Sequence, residues 1–377
     1  MNGKLISLLL TVLLLAGCGW NLFSSGPTLD DKIGQMLMVG FRGTVVGRDH
    51  FILRDIRRYN LGGVVLFDQD TLQKQDKRNI SSPAQLKVLT ISLQQAASTP
   101  LLIAVDQEGG KVARLKEGAG FPTTRSHRNL GWLDDLTTTD KEADKIAATL
   151  ADLGINLNLA PVVDLCSNPN NPVIAKRERC FSDDPNKVTA HALSYIKAHH
   201  RHGVLTTLKH FPGHGSSQAD SHLGFTDVSN TWSARELLPF TRIIAAGQAD
   251  AIMTAHVFNA RLDSRYPATL SKTIVDDLLR GRFCFEGVVI SDDLQMRAIA
   301  DHYGLETAIF QAIDAGVDIL VFGNNLTYDE EIVPRTIELI RKMVDSGKIS
   351  KDRIDQSYGR ITEMKSRLEN SFNEATR

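Results

Sequence analysis

The sequence predicts an α/β protein built as a single (β/α)₈ barrel, the TIM-barrel architecture. Eight short apolar runs alternate with amphipathic segments along the chain, and this alternation predicts right-handed βαβ units. Each run is nearly continuous in Val, Ile, Leu, Met or Ala, as expected of parallel strands buried on both faces. Eight units favour a closed barrel. An open doubly wound sheet is the alternative, although no GxGxxG motif follows the first strand.

The predicted strands occupy residues 36–41, 62–67, 101–107, 155–165, 204–210, 251–257, 287–294 and 318–323. Helical patterns lie between them, for example at residues 84–98, 142–153, 233–248 and 305–315. Ser233 is followed three residues later by Glu236, which predicts a capping box at the start of its helix. Two more helices, around residues 330–346 and 351–373, are expected to pack outside the barrel.

The bulk composition agrees with one large domain. The chain has 377 residues and is 42% hydrophobic, and barrels of this size often fold as one unit. Its 43 Lys and Arg residues nearly balance 44 Asp and Glu residues, for a net charge of -1. This balance gives no electrostatic reason to expect a nucleic-acid partner.

The first residues have the pattern of a targeting segment. Lys4 precedes an apolar run at residues 5–16, which is too short for a membrane span but typical of a signal peptide. Residues 15–18, LAGC, resemble the bacterial lipobox, which implies cleavage before Cys18 and lipidation of its thiol. We therefore expect a lipoprotein signal peptide at residues 1–17, a tether at 18–28, and the barrel with its C-terminal helices at 29–377. An ordinary secretory signal is the alternative.

Such an anchor places the protein in the bacterial cell envelope, facing the periplasm or the exterior. Gly19 after Cys18 favours the outer membrane if the cell has two. In this oxidising location Cys166 and Cys180, which bracket a polar loop, could form a disulfide, although the sequence leaves this open. Cys284 lies in an apolar segment and is expected to be a buried thiol.

Polar residues follow the predicted strands at the point where each strand ends. In a (β/α)₈ barrel this end carries the chemistry. Ionisable groups there are expensive to bury unless they are paired, so their convergence on one face predicts a site. These residues are Asp106 and Glu108 after strand three, Asp164 after strand four, Lys209 and His210 after strand five, His256 after strand six, and Asp292 and Asp293 after strand seven.

The segment KHFPGHG at residues 209–215, followed by DSH at 220–222, is the most informative. Its Pro and Gly residues predict a bent loop. The histidines could bind a metal, or Asp220 could orient His222 as a proton-transfer group. The first strand has no histidine pair of the kind that barrel metallohydrolases usually place there. The metal interpretation is therefore the weaker one, and no cofactor is expected.

Three motifs together resemble those of glycoside hydrolase family 3 β-N-acetylglucosaminidases. They are KHFPGHG with the following DSH, VDQEGGKVAR at residues 105–114, and ISDDLQM at 290–296. The resemblance covers about residues 29–370, with the motifs in the family order. It implies hydrolysis of terminal β-linked N-acetylglucosamine.

The resemblance also implies a retaining double displacement and a role for each matched residue. Asp292 would be the nucleophile, His222 the acid/base and Asp220 its orienting partner, whereas Asp293 would be structural. The matched sugar-binding positions are Asp106, Arg114, Arg179, Lys209 and His210. The Arg179 match is weaker because Cys180 stands where the family has serine.

An imidazole acid/base makes physical sense, since its ordinary pKa is about 6.5 and its neutral form does not repel an anionic nucleophile. His214 is expected to bridge loop carbonyls. His256 and Asp164 could either line the pocket or brace it.

Three other functions stay open. They are a β-glucosidase-type family 3 enzyme, a β-N-acetylglucosaminide phosphorylase, and an inactive sugar-binding lipoprotein. β-Glucosidase-type members typically take the acid/base from a second domain, whereas here the DSH loop could supply it. The inactive protein would be expected to lack Asp292 or His222, and both are present. The expected partners are a carbohydrate, either a peptidoglycan fragment or a chitooligosaccharide, and a membrane through the lipid anchor.

Overall fold

The computed structural model describes residues 26–221 and 224–375. Cys18 and His222, on which the lipidation and acid/base predictions fall, lie outside the described residues. The signal peptide and most of the tether also lie outside them, so these domain boundaries stay predictions.

Eight parallel strands form the barrel, and each coincides with one of the eight predicted strand segments, although the fifth strand ends one residue beyond its predicted segment. The strands are β1 (Leu37–Gly40), β2 (Gly63–Leu66), β3 (Leu102–Val105), β4 (Leu157–Asn158), β5 (Leu205–Phe211), β6 (Ala251–Thr254), β7 (Val288–Ile290) and β8 (Leu320–Phe322). Every barrel strand is buried along its whole length, which explains why the strands read as continuous apolar runs.

The sheet closes on itself. Each strand pairs in parallel with its neighbour in the chain from β1 to β7, and β1 also pairs with β8, with Leu37 opposite Leu320. A parallel bridge between Ile290 and Ile319 joins β7 to the start of β8, supported by a 2.9 Å hydrogen bond from Ser291 N to Ile319 O. The predicted barrel is therefore confirmed, and the doubly wound alternative is wrong.

Helices surround the barrel on the outside. They are α1 (Leu29–Gln35), α2 (Phe51–Tyr59), α3 (Pro83–Ala96), α4 (His127–Leu133), α5 (Leu136–Asp152), α6 (Pro185–Arg201), α7 (Leu238–Ala245), α8 (Arg297–Ala315), α9 (Ile332–Asp345) and α10 (Lys351–Ala375), with a π-helix at Thr273–Arg282 between α7 and α8. Gly304 interrupts α8 with φ 69° and ψ 162°, so the predicted helix at 305–315 begins just after the break. No helix of residues 26–221 and 224–375 is both long and apolar enough to cross a bilayer.

Local capping explains where several helices begin. α6 begins with Pro185 after Asp184, whose side chain accepts a hydrogen bond from Asn186 N. The predicted capping box at Ser233 is wrong: in the described part of the chain its side chain caps no backbone amide. A short 3₁₀ turn (Ala234–Leu237) forms first, and the buried Glu236 turns towards the loop after β5 instead.

The structure joins Cys166 and Cys180 by a disulfide bond, with 5.5 Å between their Cα atoms. The prediction that Cys284 is buried is wrong, because this residue is exposed. Cys284 has a φ of 53°, and in this turn the chain buries Phe285 and leaves the neighbouring thiol facing outward.

Candidate active site

A cleft of about 510 Å³ opens at the carboxyl ends of the barrel strands. Its floor is apolar, formed by Val65, Leu159, Met253 and Val321. The walls contain the predicted catalytic and sugar-binding residues that the structure describes, namely Asp106, Arg114, Arg179, Lys209, His210, Asp220 and Asp292. These residues come from the ends of β3, β5 and β7 and from the loops after β3, β4 and β5, so the barrel alone brings them together.

Asp106 follows β3 and projects into the cleft between two cations. Its carboxylate accepts a 2.7 Å hydrogen bond from Lys209 Nζ and a 3.1 Å hydrogen bond from Arg114. Burial alone would raise the pKa of Asp106, but Lys209 and Arg114 outweigh it and hold that pKa well below its usual range. Asp106 is therefore ionised at neutral pH and can accept hydrogen bonds from hydroxyl groups.

Glu108, two residues beyond Asp106 in the chain, is buried. Arg179 reaches it with two hydrogen bonds, at 2.9 Å from Nε and 2.8 Å from Nη2, and Lys209 Nζ lies 2.7 Å away. Burial opposes the charged form, but Arg179 and Lys209 keep the pKa of Glu108 low. Because the guanidinium is planar and rigid, this paired contact fixes the direction in which Arg179 points.

His210 is held between a carboxylate and a guanidinium. Its Nδ1 lies 2.7 Å from Asp164 Oδ2, and its Nε2 lies 3.1 Å from Arg179 Nη2. Since a carboxylate accepts and a guanidinium donates, Nδ1 donates to Asp164 and Nε2 accepts from Arg179. Asp164 is fully buried and also accepts from His214 N at 2.8 Å. Of the two roles left open for Asp164, the structure supports bracing.

Asp292 lies two residues beyond the end of β7 and is partly buried. Its Oδ1 accepts a 2.8 Å hydrogen bond from Asp293 N. The Asp293 carboxylate instead accepts from Gln295 N and Gly323 N, both at 3.0 Å, and so ties the end of β7 to the end of β8. His256 Nε2 donates to the Asp293 carbonyl at 2.9 Å. His256 therefore braces the turn that presents Asp292.

Two buried carboxylates anchor the loop after β5. Asp164 holds His214 N, and Glu236 Oε2 accepts from Gly215 N at 3.0 Å. Glycine is required here because a Cβ on Gly215 would lie 1.9 Å from Leu165 O, and one on Gly213 would lie 2.6 Å from the Glu236 Cβ. The bent loop that the sequence predicted is thus packed tightly at its base.

The far part of the same loop carries Asp220 to the cleft. His214 is buried, and its Nε2 lies 3.1 Å from the Ser221 hydroxyl. It therefore braces the loop through a hydroxyl, not through the carbonyls that we expected. Burial lowers the pKa of His214 to about 4, so the ring is neutral at physiological pH.

Sequence reasoning missed other cleft residues. Asp68 follows β2 and pairs with Lys116, and Asn325 lies beyond β8 and accepts a 2.8 Å hydrogen bond from Arg78. The signal that could have found both is their position after a barrel strand. The anchoring role of Glu236 in the loop after β5 was also missed, because its spacing from Ser233 predicted a helix cap instead. Among the described residues, no group of three or more His, Cys, Asp or Glu side chains could hold a metal ion.

The family model described as "Glycosyl hydrolase family 3 N terminal domain" matches residues 28–364. The chain belongs to glycosyl hydrolase family 3. The family that the three motifs predicted is thus confirmed.

Two curated relatives are similar over most of the chain. "Beta-hexosaminidase A" of Pseudoalteromonas piscicida is 36% identical over 84% of this chain and 55% of its own length. "Beta-hexosaminidase" of Tolumonas auensis is 40% identical over 72% of this chain and 78% of its own length. The chain thus spans little more than half of the first of these proteins.

Solved structures of two related proteins agree with the fold. The β-N-acetylglucosaminidase from Paenibacillus sp. str. FPU-7 superposes with a TM-score of 0.82 and 35% identity, covering 91% of this chain and 63% of that protein. The β-N-acetylhexosaminidase from Beutenbergia cavernae gives a TM-score of 0.80 and 28% identity, covering 90% of this chain and 98% of that protein.

Proposed function

We propose that this family 3 chain is a retaining, exo-acting β-N-acetylhexosaminidase that hydrolyses terminal β-linked N-acetylglucosamine. The observation that carries the proposal is the cleft, in which Asp292 faces the same space as Asp106, Arg114, Arg179, Lys209 and His210. Carboxylates, guanidinium groups and an imidazole around an apolar floor suit a sugar, which has hydroxyl groups on its rim and C–H groups on its faces.

In the first step, Asp292 attacks the anomeric carbon and forms a glycosyl ester. The bond to the leaving oxygen breaks, and His222 gives that oxygen a proton. In the second step His222 takes a proton from water, and the water oxygen attacks the anomeric carbon. The ester bond breaks, and the Asp292 carboxylate is restored. Asp220 orients the imidazole.

The charged cluster prepares the cleft before substrate arrives. Asp106 is ionised and held by Lys209 and Arg114, so it accepts hydrogen bonds from sugar hydroxyls with little rearrangement. The Asp292 turn is fixed by Asp293. A nucleophile on the rigid barrel reaches the anomeric carbon in one geometry.

We also propose that the chain acts in the cell envelope, held by a lipid on Cys18, and takes glycans of that compartment as substrates. The lipobox resemblance at residues 15–18 supports this location.

A panel of nitrophenyl glycosides tests the activity. We expect the N-acetyl-β-glucosaminide to be cleaved with far higher kcat/KM than the β-glucoside, because groups that bind the acetamido substituent stay unpaired with glucose. Asp292→Ala should abolish turnover, whereas Asp152→Ala, at a carboxylate whose side chain is 70% exposed, should not change it. Comparable kcat/KM on the two glycosides, or an active Asp292→Ala variant, would contradict the proposal. Turnover that requires phosphate would identify a phosphorylase instead.

A further inference from the structure

Three aromatic rings meet where the loops after β5, β6 and β7 come together. Phe225 lies 5.2 Å from Phe258 and 5.8 Å from His302, measured between ring centroids. Phe225 is 46% exposed, His302 is also exposed, and Phe258 is half-buried. The three residues form a surface that we call the aromatic shelf.

The shelf follows cleft residues in the chain on three loops. Phe225 is five residues beyond Asp220, which lines the cleft. His302 is six residues beyond Met296, another cleft residue, at the start of α8. His256, two residues before Phe258 in the chain, donates to the carbonyl of the cleft residue Asp293. The shelf therefore lies at the same carboxyl end of the barrel as the cleft, on the side formed by the loops after β5, β6 and β7.

Backbone pairing holds the shelf in place. Thr226 and Asp227 form a short parallel ladder with Val257 and Phe258, and Val228 N donates to Phe258 O at 2.8 Å. Phe225 is thus fixed against the loop after β6 although its ring faces solvent. An exposed aromatic ring on a fixed backbone presents a flat apolar surface, which suits the C–H face of a pyranose.

The proposed mechanism decides which sugar would lie there. An acid/base that protonates the glycosidic oxygen lies beside the leaving group, and the shelf begins three residues after His222 in the chain. We propose that Phe225, Phe258 and His302 bind the leaving-group sugar and so favour oligosaccharides over glycosides with a small aglycone. This inference rests on the proposed glycosidase function.

The test compares two substrates that share the N-acetylglucosaminyl group. One is N,N′-diacetylchitobiose, whose leaving group is a sugar, and the other is the β-glycosyl fluoride, whose leaving group has no ring. For Phe225→Ala we expect kcat/KM to fall roughly tenfold on the disaccharide and to stay unchanged on the fluoride. Phe225→Trp should retain activity on both, and His302→Ala should repeat the selective loss in milder form.

Trp132→Ala provides the matched control, because Trp132 is an 82% exposed aromatic residue in α4, outside the shelf. It should leave both substrates unaffected. Equal losses on the two substrates for Phe225→Ala would show that the ring supports the loop and does not bind the leaving group. No loss on either substrate would also contradict the proposal that the shelf binds the leaving-group sugar. If the unaltered chain cleaves neither substrate, the proposed function fails and the shelf fails with it.

Discussion

Charge pairing explains how so many ionisable residues are buried at one end of the barrel. Lys209 is only 2% exposed, yet its Nζ lies 2.7 Å from both Asp106 and Glu108. Arg114 and Arg179 provide the second cation for each carboxylate. An isolated charge in this position would be strongly unfavourable, whereas a paired network retains both charge and fixed geometry. The polar side chains that predicted the site are therefore also the groups that stabilise it.

Glu236 differs from Asp106 and Glu108 because no cation contacts it in the described part of the chain. Its Oε2 accepts a hydrogen bond from Gly215 N, while its Oε1 has no hydrogen-bond partner among the described residues. Burial, together with the negative charge of Asp164, raises the pKa of Glu236 to about 7. This carboxyl therefore titrates near neutral pH at the base of the loop after β5.

The raised pKa of Glu236 predicts a pH-dependent stability. The folded chain binds this proton more tightly than the unfolded chain, in which the pKa is near 4.5. The resulting stabilisation is complete below that value and is lost as the pH rises to about 7. Glu236→Gln cannot ionise, so its free energy of unfolding should fall less over this range, by up to about 3 kcal/mol.

Urea unfolding of both proteins at about pH 5 and about pH 8 measures this difference. Glu236→Gln keeps an oxygen that can accept from Gly215 N, and it is therefore the suitable variant. Parallel pH profiles for the two proteins would mean that Glu236 does not titrate in this range.

The loops after the strands carry most of the site, and they are held by hydrogen bonds to carboxylates or by a disulfide. Asp164 and Glu236 anchor the loop after β5, and Asp293 fixes the turn after β7. The loop after β4 is closed by the disulfide between Cys166 and Cys180. Arg179 is the neighbour of Cys180, so the disulfide lies next to a residue that points into the cleft.

Removing the disulfide should affect both stability and substrate binding. Closing a loop of this length, with a sequence separation of 14, stabilises a fold by about 3 kcal/mol on the chain-entropy model. The double variant Cys166→Ser, Cys180→Ser should unfold at lower denaturant concentration. Its KM should rise more than its kcat falls, because Arg179 loses part of its support. Steady-state kinetics with denaturant unfolding measures both effects.

The unaltered protein treated with a reductant should reproduce the double variant, since the two lack the same bond. Cys284→Ser is the matched control, because Cys284 is an exposed cysteine outside the disulfide. If reduction leaves the unfolding curve unchanged, the disulfide does not contribute to stability.

At the scale of the whole molecule, the two ends of the barrel have different roles. The carboxyl end carries the cleft, whereas at the amino end of β8 the buried Asp318 accepts hydrogen bonds from Arg280, Ser357 and Arg360. Ser357 and Arg360 belong to α10, so this network fastens the last helix to the barrel. Substitutions at this end should change stability rather than specificity.

The lipid anchor is a prediction about the whole chain. We propose that Cys18 is the mature N-terminus and carries lipid. Cys18→Ala should move the protein from the membrane fraction to the soluble fraction of the cell that expresses it. The released protein should keep its activity, because the barrel begins beyond the tether. Cys284→Ser should stay with the membrane. A fully soluble unaltered protein would contradict the anchor.

The sequence by itself determined the barrel and its order of elements. Strands buried on both faces are apolar throughout, so local composition alone located all eight. It also placed Asp106, Lys209, His210 and Asp292 at one face, because the ends of parallel strands meet there whatever their detailed packing. The family motifs could be recognised because the residues of each motif are close together in the chain.

Only the tertiary structure decided which partner each side chain has. Ser233 and Glu236 have the spacing of a capping box, but burying Glu236 against Gly215 replaced that local contact. Cys284 has apolar neighbours in the chain, but a turn directs it outward. The contacts of Arg179 with Glu108 and of Phe225 with His302 join residues 71 or more positions apart. Such pairings depend on how distant segments pack, and local sequence patterns do not encode them.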